Sequence, residues 1–509
     1  MTTHPNFSLA AKARWNATAV LVGSLSRLLA GVVIARLLGP DQNGQFAFLL
    51  WLTESLVLVF SVGLPGTLNR FLALKMGQGE ELVARRIMRV SLRAGLVMSL
   101  FAAIAAYVLA LHFMSVGTAT TTMAITLALL VAAQLWSGLA QAILTGLQYF
   151  RAYARVVVVS SLVLVTGQIF GAMGWGLQGA IYGALASYAV GAALFLLAVA
   201  QTRFLNKSLT ASESSVGSSF AAYARDAWLA GLISAVVWGR AELFFLDRLS
   251  TGLELGYFAA GLVFSNVVVQ AVNLISGALL PHLSYLVGEE QTARLNNEYR
   301  RMTVFIALMT FPFALGGVAL MPEIIKLVFG AAYADAAPAA QWLMATGLLA
   351  FATVGSSVVY GHGDAHIIRN WSVLGAGLLV LLCILLAPAA GAAGVSAARF
   401  LVQTMLIGIG FYLLRKRYDL AVPFQSLGLL LVAAICCGVA ASLASQLAGG
   451  GAVGILLGVA CGATIFGLML RMLGVVSAED AASLGKLFAQ LPAALSKPAN
   501  TFLSLVCSR

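Results

Sequence analysis

Apolar runs of roughly twenty residues recur along the chain, separated by short polar turns, and each is long enough to cross a bilayer as a helix. About fourteen such runs can be placed. They centre near Leu25, Leu56, Ala103, Ala133, Leu164, Tyr188, Trp238, Val267, Thr310, Ala350, Leu381, Met405, Cys436 and Ala460. Most fall in pairs joined by tight turns, with Gly171, Gly174, Gly176 and Gly179 between the fifth and sixth. The first run, Trp15 to Leu37, follows a short polar stretch carrying Lys12 and Arg14. It lacks a cleavage site of the signal-peptide kind and is expected to stay as the first helix. Beyond the last run, Ser477 to Ser496 reads as a surface-lying amphipathic helix. Ser477 with Asp480 fits a capping box, and Leu484, Leu487, Phe488 and Leu491 share a face. The pattern predicts an all-α integral membrane protein.

Composition agrees. Apolar residues make up 61% of the 509 and charged residues only 9%, whereas a soluble domain carries about 25% charged residues. The net charge of +12 is scattered between apolar blocks, which argues against nucleic-acid binding. Intrinsic disorder and a secreted disulfide scaffold are excluded on the same grounds. Cys383, Cys436, Cys437, Cys461 and Cys507 lie in or beside apolar segments and read as small hydrophobes.

Lysine and arginine set the orientation. One set of loops holds Arg70, Lys75, Arg85, Arg86, Arg89, Arg93, Arg151, Arg155, Arg203, Lys207 and Arg225. Further on, the same side carries Arg294, Arg300, Arg301, Arg369, Arg415, Lys416 and Arg417. The opposite loops hold only Arg36, Arg248 and Lys326. The rich side is expected to be cytoplasmic, and an even number of spans puts both termini there.

The chain also repeats itself. Arg36-Leu37 aligns with Arg248-Leu249 at an offset of 212, and Gly44-Gln45-Phe46-Ala47 then falls on Gly256-Tyr257-Phe258-Ala259. Gly79-Glu80-Glu81 matches Gly288-Glu289-Glu290 at 209, and Gly176 and Gly179 match Gly391 and Gly394 at 215. Two pseudo-symmetric six-helix lobes are expected, residues 1–210 and 211–415. Two extra helices (416–475) and a tail (476–509) follow. A period of even span number makes the repeat parallel, the layout of an alternating-access transporter.

Ionisable residues within the spans are few. A charge at mid-bilayer costs about 2.5–3.5 kcal/mol on insertion scales, so such a residue faces a cavity or a partner. Arg27 precedes Gly39 by twelve residues and Glu54 follows Gln42 by twelve, which sets each about 18 Å below the turn. The two are placed to pair across a hairpin. In the second half Arg240 stands opposite Asn266, which occupies the place of Glu54. Glu242 cannot reach Arg240 along one helix face. Two readings stay open: these groups stitch helices together, or Arg27 and Arg240 line a cationic cavity for an anion, which arginine suits by its planar bidentate fork. Arg399 joins that cavity or snorkels outward. Glu54 and Glu242 are the candidate carriers of a coupling proton.

Other signals are discounted. Gly174-x-Gly176-x-x-Gly179 follows no strand, so close helix packing explains it better than a dinucleotide. His362, Asp364 and His366 have metal-ligand chemistry but lie in a short cytoplasmic turn. Glu81 to Arg93 reads as a basic amphipathic stretch on anionic lipid, with Val83, Ile87 and Val90 on one face. No catalytic constellation and no phosphate-binding loop is found. The expectation is a protein that is not an enzyme and uses neither cofactor nor metal.

One segment carries a resemblance. Ala35-Arg36-Leu37-Leu38-Gly39-Pro40-Asp41-Gln42-Asn43-Gly44, with Phe46, then Gly63-Leu64-Pro65 and Arg70-Phe71, resembles the amino-terminal region of the Wzx-type polysaccharide repeat-unit flippases, within the multidrug/oligosaccharidyl-lipid/polysaccharide (MOP) exporter superfamily. The resemblance implies translocation of an undecaprenyl-diphosphate-linked oligosaccharide from the cytoplasmic to the periplasmic leaflet of the bacterial inner membrane, for O-antigen or exopolysaccharide synthesis. It implies that the first, second, seventh and eighth spans line the cavity, which puts the anion-binding role on Arg27 and Arg240. The implied partners are the lipid-linked oligosaccharide and membrane lipids, with a polysaccharide polymerase and chain-length assembly proteins as candidates. Two rivals are a cation-coupled multidrug exporter of the same superfamily and a lipid-linked peptidoglycan precursor flippase. A membrane glycosyltransferase or polymerase would commonly need larger outward loops.

Overall fold

In hydrocarbon every backbone N–H and C=O must find its partner inside the protein, and a helix does this within one segment. The computed structural model describes residues 9–113, 118–202, 218–237, 239–276, 283, 286–287, 292–362 and 364–474. All regular structure among them is helical. The surface tail at 477–496, Arg203, Lys207 and the Gly288-Glu289-Glu290 match lie outside the described residues.

Nine described helices are long and apolar enough to cross a membrane, and a bent pair, Ala331–Leu349 with Ala352–Gly361, makes a tenth. Three of the nine fold back on themselves and supply two spans apiece. The first is α1 (Leu9–Phe60), broken at Gly39 (φ 74°) just before Pro40. The second is α5 (Phe150–Gln201), broken at Trp175 and Gly176. The third is Ala365–Tyr418, broken at Ala390 and Gly391. The turns are so short that helix leads directly into helix. With α6 (Ser218–Val237), these account for the spans expected from the sequence, with one difference. The seventh, one run in the sequence, is interrupted at residues 239–241 and resumes as α7 (Glu242–Leu249).

Glycine makes the hairpin of α5 possible. A Cβ on Gly179 would collide with the Gly171 carbonyl, and one on Gly183 with the backbone of Gly167. The two arms therefore touch backbone to backbone, as small residues allow between membrane helices. Within the Gly174-x-Gly176-x-x-Gly179 run, packing thus explains Gly179, and the turn's positive φ explains Gly176.

The repeat is visible in the backbone. Trp175 (φ −136°, ψ 18°) and Gly176 (φ 56°, ψ −133°) match Ala390 (φ −140°, ψ 15°) and Gly391 (φ 51°, ψ −136°). Each turn is met by the same repeat position. Gln42 Oε1 lies 3.5 Å from where a Gly176 Cβ would stand. Glu254, at an offset of 212 from Gln42, accepts the Ala392 N–H at 2.7 Å.

The chain groups into two compact units, Met1–Phe244 and Phe245–Arg509, so their division falls inside the seventh span. The first unit's core gathers Leu64, Leu68 and Leu72 of α2 (Leu64–Gly77), Ile87 and Met88 of α3 (Glu81–Phe113), and Leu135, Leu139 and Ile143 of α4 (Thr118–Gly146). In α3 the buried face is Ala84, Arg85, Ile87, Met88 and Ser91, while Val90 is exposed. The stretch from Glu81 is thus the packed first part of a spanning helix. Its buried face differs from the Val83-Ile87-Val90 face expected for a surface segment. In the second unit Tyr299, Ile306, Phe311, Val354 and Val358 form the core. The last two spans, Phe424–Leu447 and Gly451–Leu473, dock there. Gly454, Gly458 and Gly462 of one face Ser445, Ala441 and Cys437 of the other, and Glu323 Oε2 accepts the Gly451 N–H at 3.1 Å.

Replacing Gly179 by alanine should force the arms of α5 apart and cost about 1–3 kcal/mol. Gly174→Ala, with nothing within 4 Å of its added methyl, should leave stability unchanged or slightly raised. Thermal melting of the purified protein in detergent checks both.

Candidate functional site

The depth estimate from sequence places Arg27 and Glu54 at one level, and the structure brings both near one side chain. Tyr188, on the second arm of α5, feels the charges of Glu54, Arg27 and Arg240 together. It follows the Gly176 turn by twelve residues, just as Glu54 follows Gln42 by twelve. The same helical-rise argument would therefore have found it, had uncharged side chains been counted. Its second-half counterpart is Gln403, twelve residues after Gly391, which is buried.

Arg27 lies on the first arm of α1 with its guanidinium folded back over Gly23. A Cβ there would be 3.6 Å from Nη1 and 3.5 Å from Val157 of α5. Its charge also reaches Tyr153. Arg27 and Glu54 are both solvent-accessible. Among the described residues no ion pair of 4 Å or less joins them, so the expected pairing across the hairpin is not formed. Two accessible opposite charges at mid-depth, both within electrostatic range of one tyrosine, belong beside water rather than lipid.

Arg240 sits in the break between α6 and α7. Its carbonyl accepts the Leu243 N–H, and that of Ala241 accepts Phe244 N–H, each at 3.1 Å. The break re-aims the chain at the level where the charge sits. Glu242 beside it is fully buried in the first turn of α7, where a carboxylate complements the helix N-terminus. Asn266 is exposed in α8 (Gly252–Ser276), as Glu54 is in its own half. Arg240 belongs to the first unit and Asn266 to the second. Arg399 is buried and held by interactions within the protein. It lies on one face with Ser396 and Gln403, both buried, and does not snorkel to the surface.

His362, Asp364 and His366 join a cluster with Arg417 and Tyr418. Tyr418 Oη donates to Asp364 Oδ2 at 2.6 Å and Arg417 Nη2 to Oδ1 at 3.1 Å. His366 Nδ1 lies 3.8 Å from Oδ1, and the His362 ring packs on Tyr418 at 4.6 Å. The cluster ties the start of the Ala365–Tyr418 hairpin to its end. No group of three or more His, Cys, Asp or Glu is placed to hold a metal among the described residues.

The fold is that of a multi-pass membrane protein, and solved transporters of the MOP superfamily share it. The chain superposes on an inward-facing multidrug resistance MATE family transporter of the MOP superfamily (TM-score 0.67, 15% identity, 79% of this chain and 98% of that one). It superposes equally on the lipid II flippase MurJ in an inward closed conformation (TM-score 0.70, 11% identity, 90% and 98%). A third match is a MOP superfamily transporter from Pyrococcus furiosus (TM-score 0.57, 17% identity, 80% and 94%). No curated protein sequence matches the chain significantly. Residues 33–338 match the polysaccharide biosynthesis protein family, and the chain belongs to that family.

The Asp364 cluster carries a pH signature. The Tyr418 hydroxyl above all, then Arg417 and the two histidines, hold the Asp364 carboxyl below the ordinary carboxylate range against the opposing effect of burial. A depressed carboxyl contributes stability above its unfolded value, near about 3.9, and loses it as pH falls through the folded one. Asp364→Asn should therefore lower the melting temperature at pH ~7, and the gap to the parent should close as melts are taken below the ordinary carboxylate range.

Proposed function

We propose that this protein is a flippase that moves an undecaprenyl-diphosphate-linked oligosaccharide repeat unit from the cytoplasmic to the periplasmic leaflet of a bacterial inner membrane, by alternating access, for assembly of a surface polysaccharide. The observation that carries this reading is that the charges of Arg27 and Arg240 both act on Tyr188, within the first unit, in a chain of the polysaccharide biosynthesis family. Glu242 is buried at the start of α7, so the accessible charges there are the one carboxylate of Glu54 and two guanidinium groups. Each offers a planar fork of donors that matches a phosphate. A site for cationic drugs would need the opposite balance.

The roles follow. Arg27 and Arg240 hold the diphosphate or an acidic sugar, Tyr188 donates a hydrogen bond to the same ligand, and Glu54 keeps the arginines from trapping it permanently. Conduction needs binding that is favourable yet reversible. The lysine and arginine asymmetry supports cytoplasmic termini. Polymerase and chain-length proteins are the partners that would consume the flipped product.

Mass spectrometry of lipid extracts from a deletion strain, beside assay of its surface glycan, tests the substrate. Accumulated undecaprenyl-diphosphate oligosaccharide with loss of surface glycan is expected. An unchanged lipid pool with intact glycan, in a strain with no second flippase, would overturn the proposal in favour of drug export. Arg27→Ala and Arg240→Ala should each reduce export about tenfold or more at normal protein abundance, since truncating one partner of a desolvated charge pair costs about 2–5 kcal/mol.

A further inference from the structure

Three aromatic rings stand beside the charged residues of the site. On the second arm of α1, Trp51 lies three residues from Glu54 in the direction of the Gly39 turn, and Phe48 lies three further. Each is therefore a helical neighbour of the next. Glu54 is exposed, Trp51 half-buried and Phe48 only 4% exposed, so the helix passes from accessible charge into packed ring. The Trp51 ring centroid lies 5.8 Å from that of Phe48, tilted by 34°.

Phe244 supplies the third ring. It is the third residue of α7, and its N–H donates to the Ala241 carbonyl at 3.1 Å. The break that holds Arg240 thus also fixes the backbone from which this ring projects. Its centroid lies 6.3 Å from that of Trp51, tilted by 43°, and Phe244 is 38% exposed. All three rings belong to the first unit.

Rings packed only against each other or against lipid would need no charge nearby. Here Trp51 and Phe244 stand three and four residues from Glu54 and Arg240, whose charges both act on Tyr188. Charges at this depth stand beside water or a ligand, and the accessible parts of the two rings border the same space. An aromatic wall next to a few convergent polar groups is the make-up of a small-molecule site. A sugar ring fits it: hydroxyls rim a face of C–H groups, and the slightly positive hydrogens of that face meet the negative face of an aromatic ring.

We infer that Trp51 and Phe244, backed by Phe48, form a platform on which the first sugar of the lipid-linked cargo stacks while Arg27 and Arg240 hold its diphosphate. The inference rests on the function proposed above and adds a sugar subsite to it. Three residues of helix rise about 4.5 Å, comparable to the step from a phosphate to the sugar it carries. On the orientation read from lysine and arginine, Trp51 lies on the outer side of Glu54. A lipid drawn from the cytoplasmic leaflet keeps its chain behind the diphosphate, so the sugar leads outward onto the rings. The wholly apolar isoprenoid chain is a poorer match for a wall that ends in two guanidinium groups and a carboxylate.

Binding of two probes to the purified protein in detergent tests the platform: farnesyl diphosphate, and the same diphosphate carrying one N-acetylglucosamine. The parent should bind the sugar-bearing probe about tenfold more tightly than the bare one. Trp51→Leu and Phe244→Leu should each lose most of that preference and keep the parent's affinity for the bare diphosphate. Trp51→Phe, which keeps a ring, should keep the preference, and Arg27→Ala should weaken both probes alike. Equal affinity of the parent for the two probes, or a preference that survives both leucine variants, would overturn the platform. A loss in those variants that falls equally on both probes would overturn it too, in favour of packing or of contact with the isoprenoid chain. Melting temperatures identify variants folded as the parent is, and the two leucine changes lie on different helices, so either can decide. Failure of both probes to bind the parent would instead sink the diphosphate reading, and the platform with it.

Discussion

The cost of leaving a charge or a backbone polar group unsatisfied in hydrocarbon governs this molecule. It forces helices throughout. It closes the turns at Gly39, Gly176 and Gly391 so tightly that helix runs into helix, and it brings Gln42 and Glu254 to meet two of those turns. The same cost makes each exception informative. Arg27 and Glu54 stand accessible and unjoined at mid-depth, and the seventh span is interrupted beside Arg240. A lipid-facing surface would tolerate neither. Both are tolerable where water or a ligand can reach, which is why a cationic, ligand-accessible site is the economical account of both.

The two halves share a plan and differ in what they place on it. Position 54 is glutamate in the first half and its counterpart at 266 is asparagine. The position twelve residues past the outer glycine is Tyr188 in one half and Gln403 in the other. The backbone template, by contrast, is kept to within about five degrees at the hairpin turns, well inside the usual scatter of regular structure. The two hairpin turns thus share one geometry, while the residues at the matching positions differ. The first unit gathers its charges on Tyr188, whereas the second buries Arg399, Ser396 and Gln403 within itself.

Much of this was legible in the chain. Twenty-residue apolar runs announce spans because the bilayer sets their length, and glycines at 176 and 391 announce turns because only they adopt positive φ cheaply. Helical rise gave the depth of Arg27 and Glu54. Tyr188 escaped because an uncharged phenol carries no mid-membrane penalty to draw attention. The break before α7 escaped because hydropathy averaged over the run through Trp238 stays high despite Arg240 and Glu242, and it does not register backbone. The face of α3 was misread for a related reason. In a membrane the outward residues are as apolar as the core, so periodicity no longer distinguishes them. Small and even charged residues such as Ala84, Ser91 and Arg85 are buried, while Leu96, Leu100 and Ile104 face out.

The described turns at Gly39, Gly176, Gly330, Gly391 and Gly449 to Gly451 have a consequence beyond packing. On the orientation read from lysine and arginine all of them lie on the outer face, and each is only a few residues long. On that orientation the described turns offer the outer face almost no loop. An antibody or phage seeking a handle on intact cells would find turn backbone and the flat ends of helices.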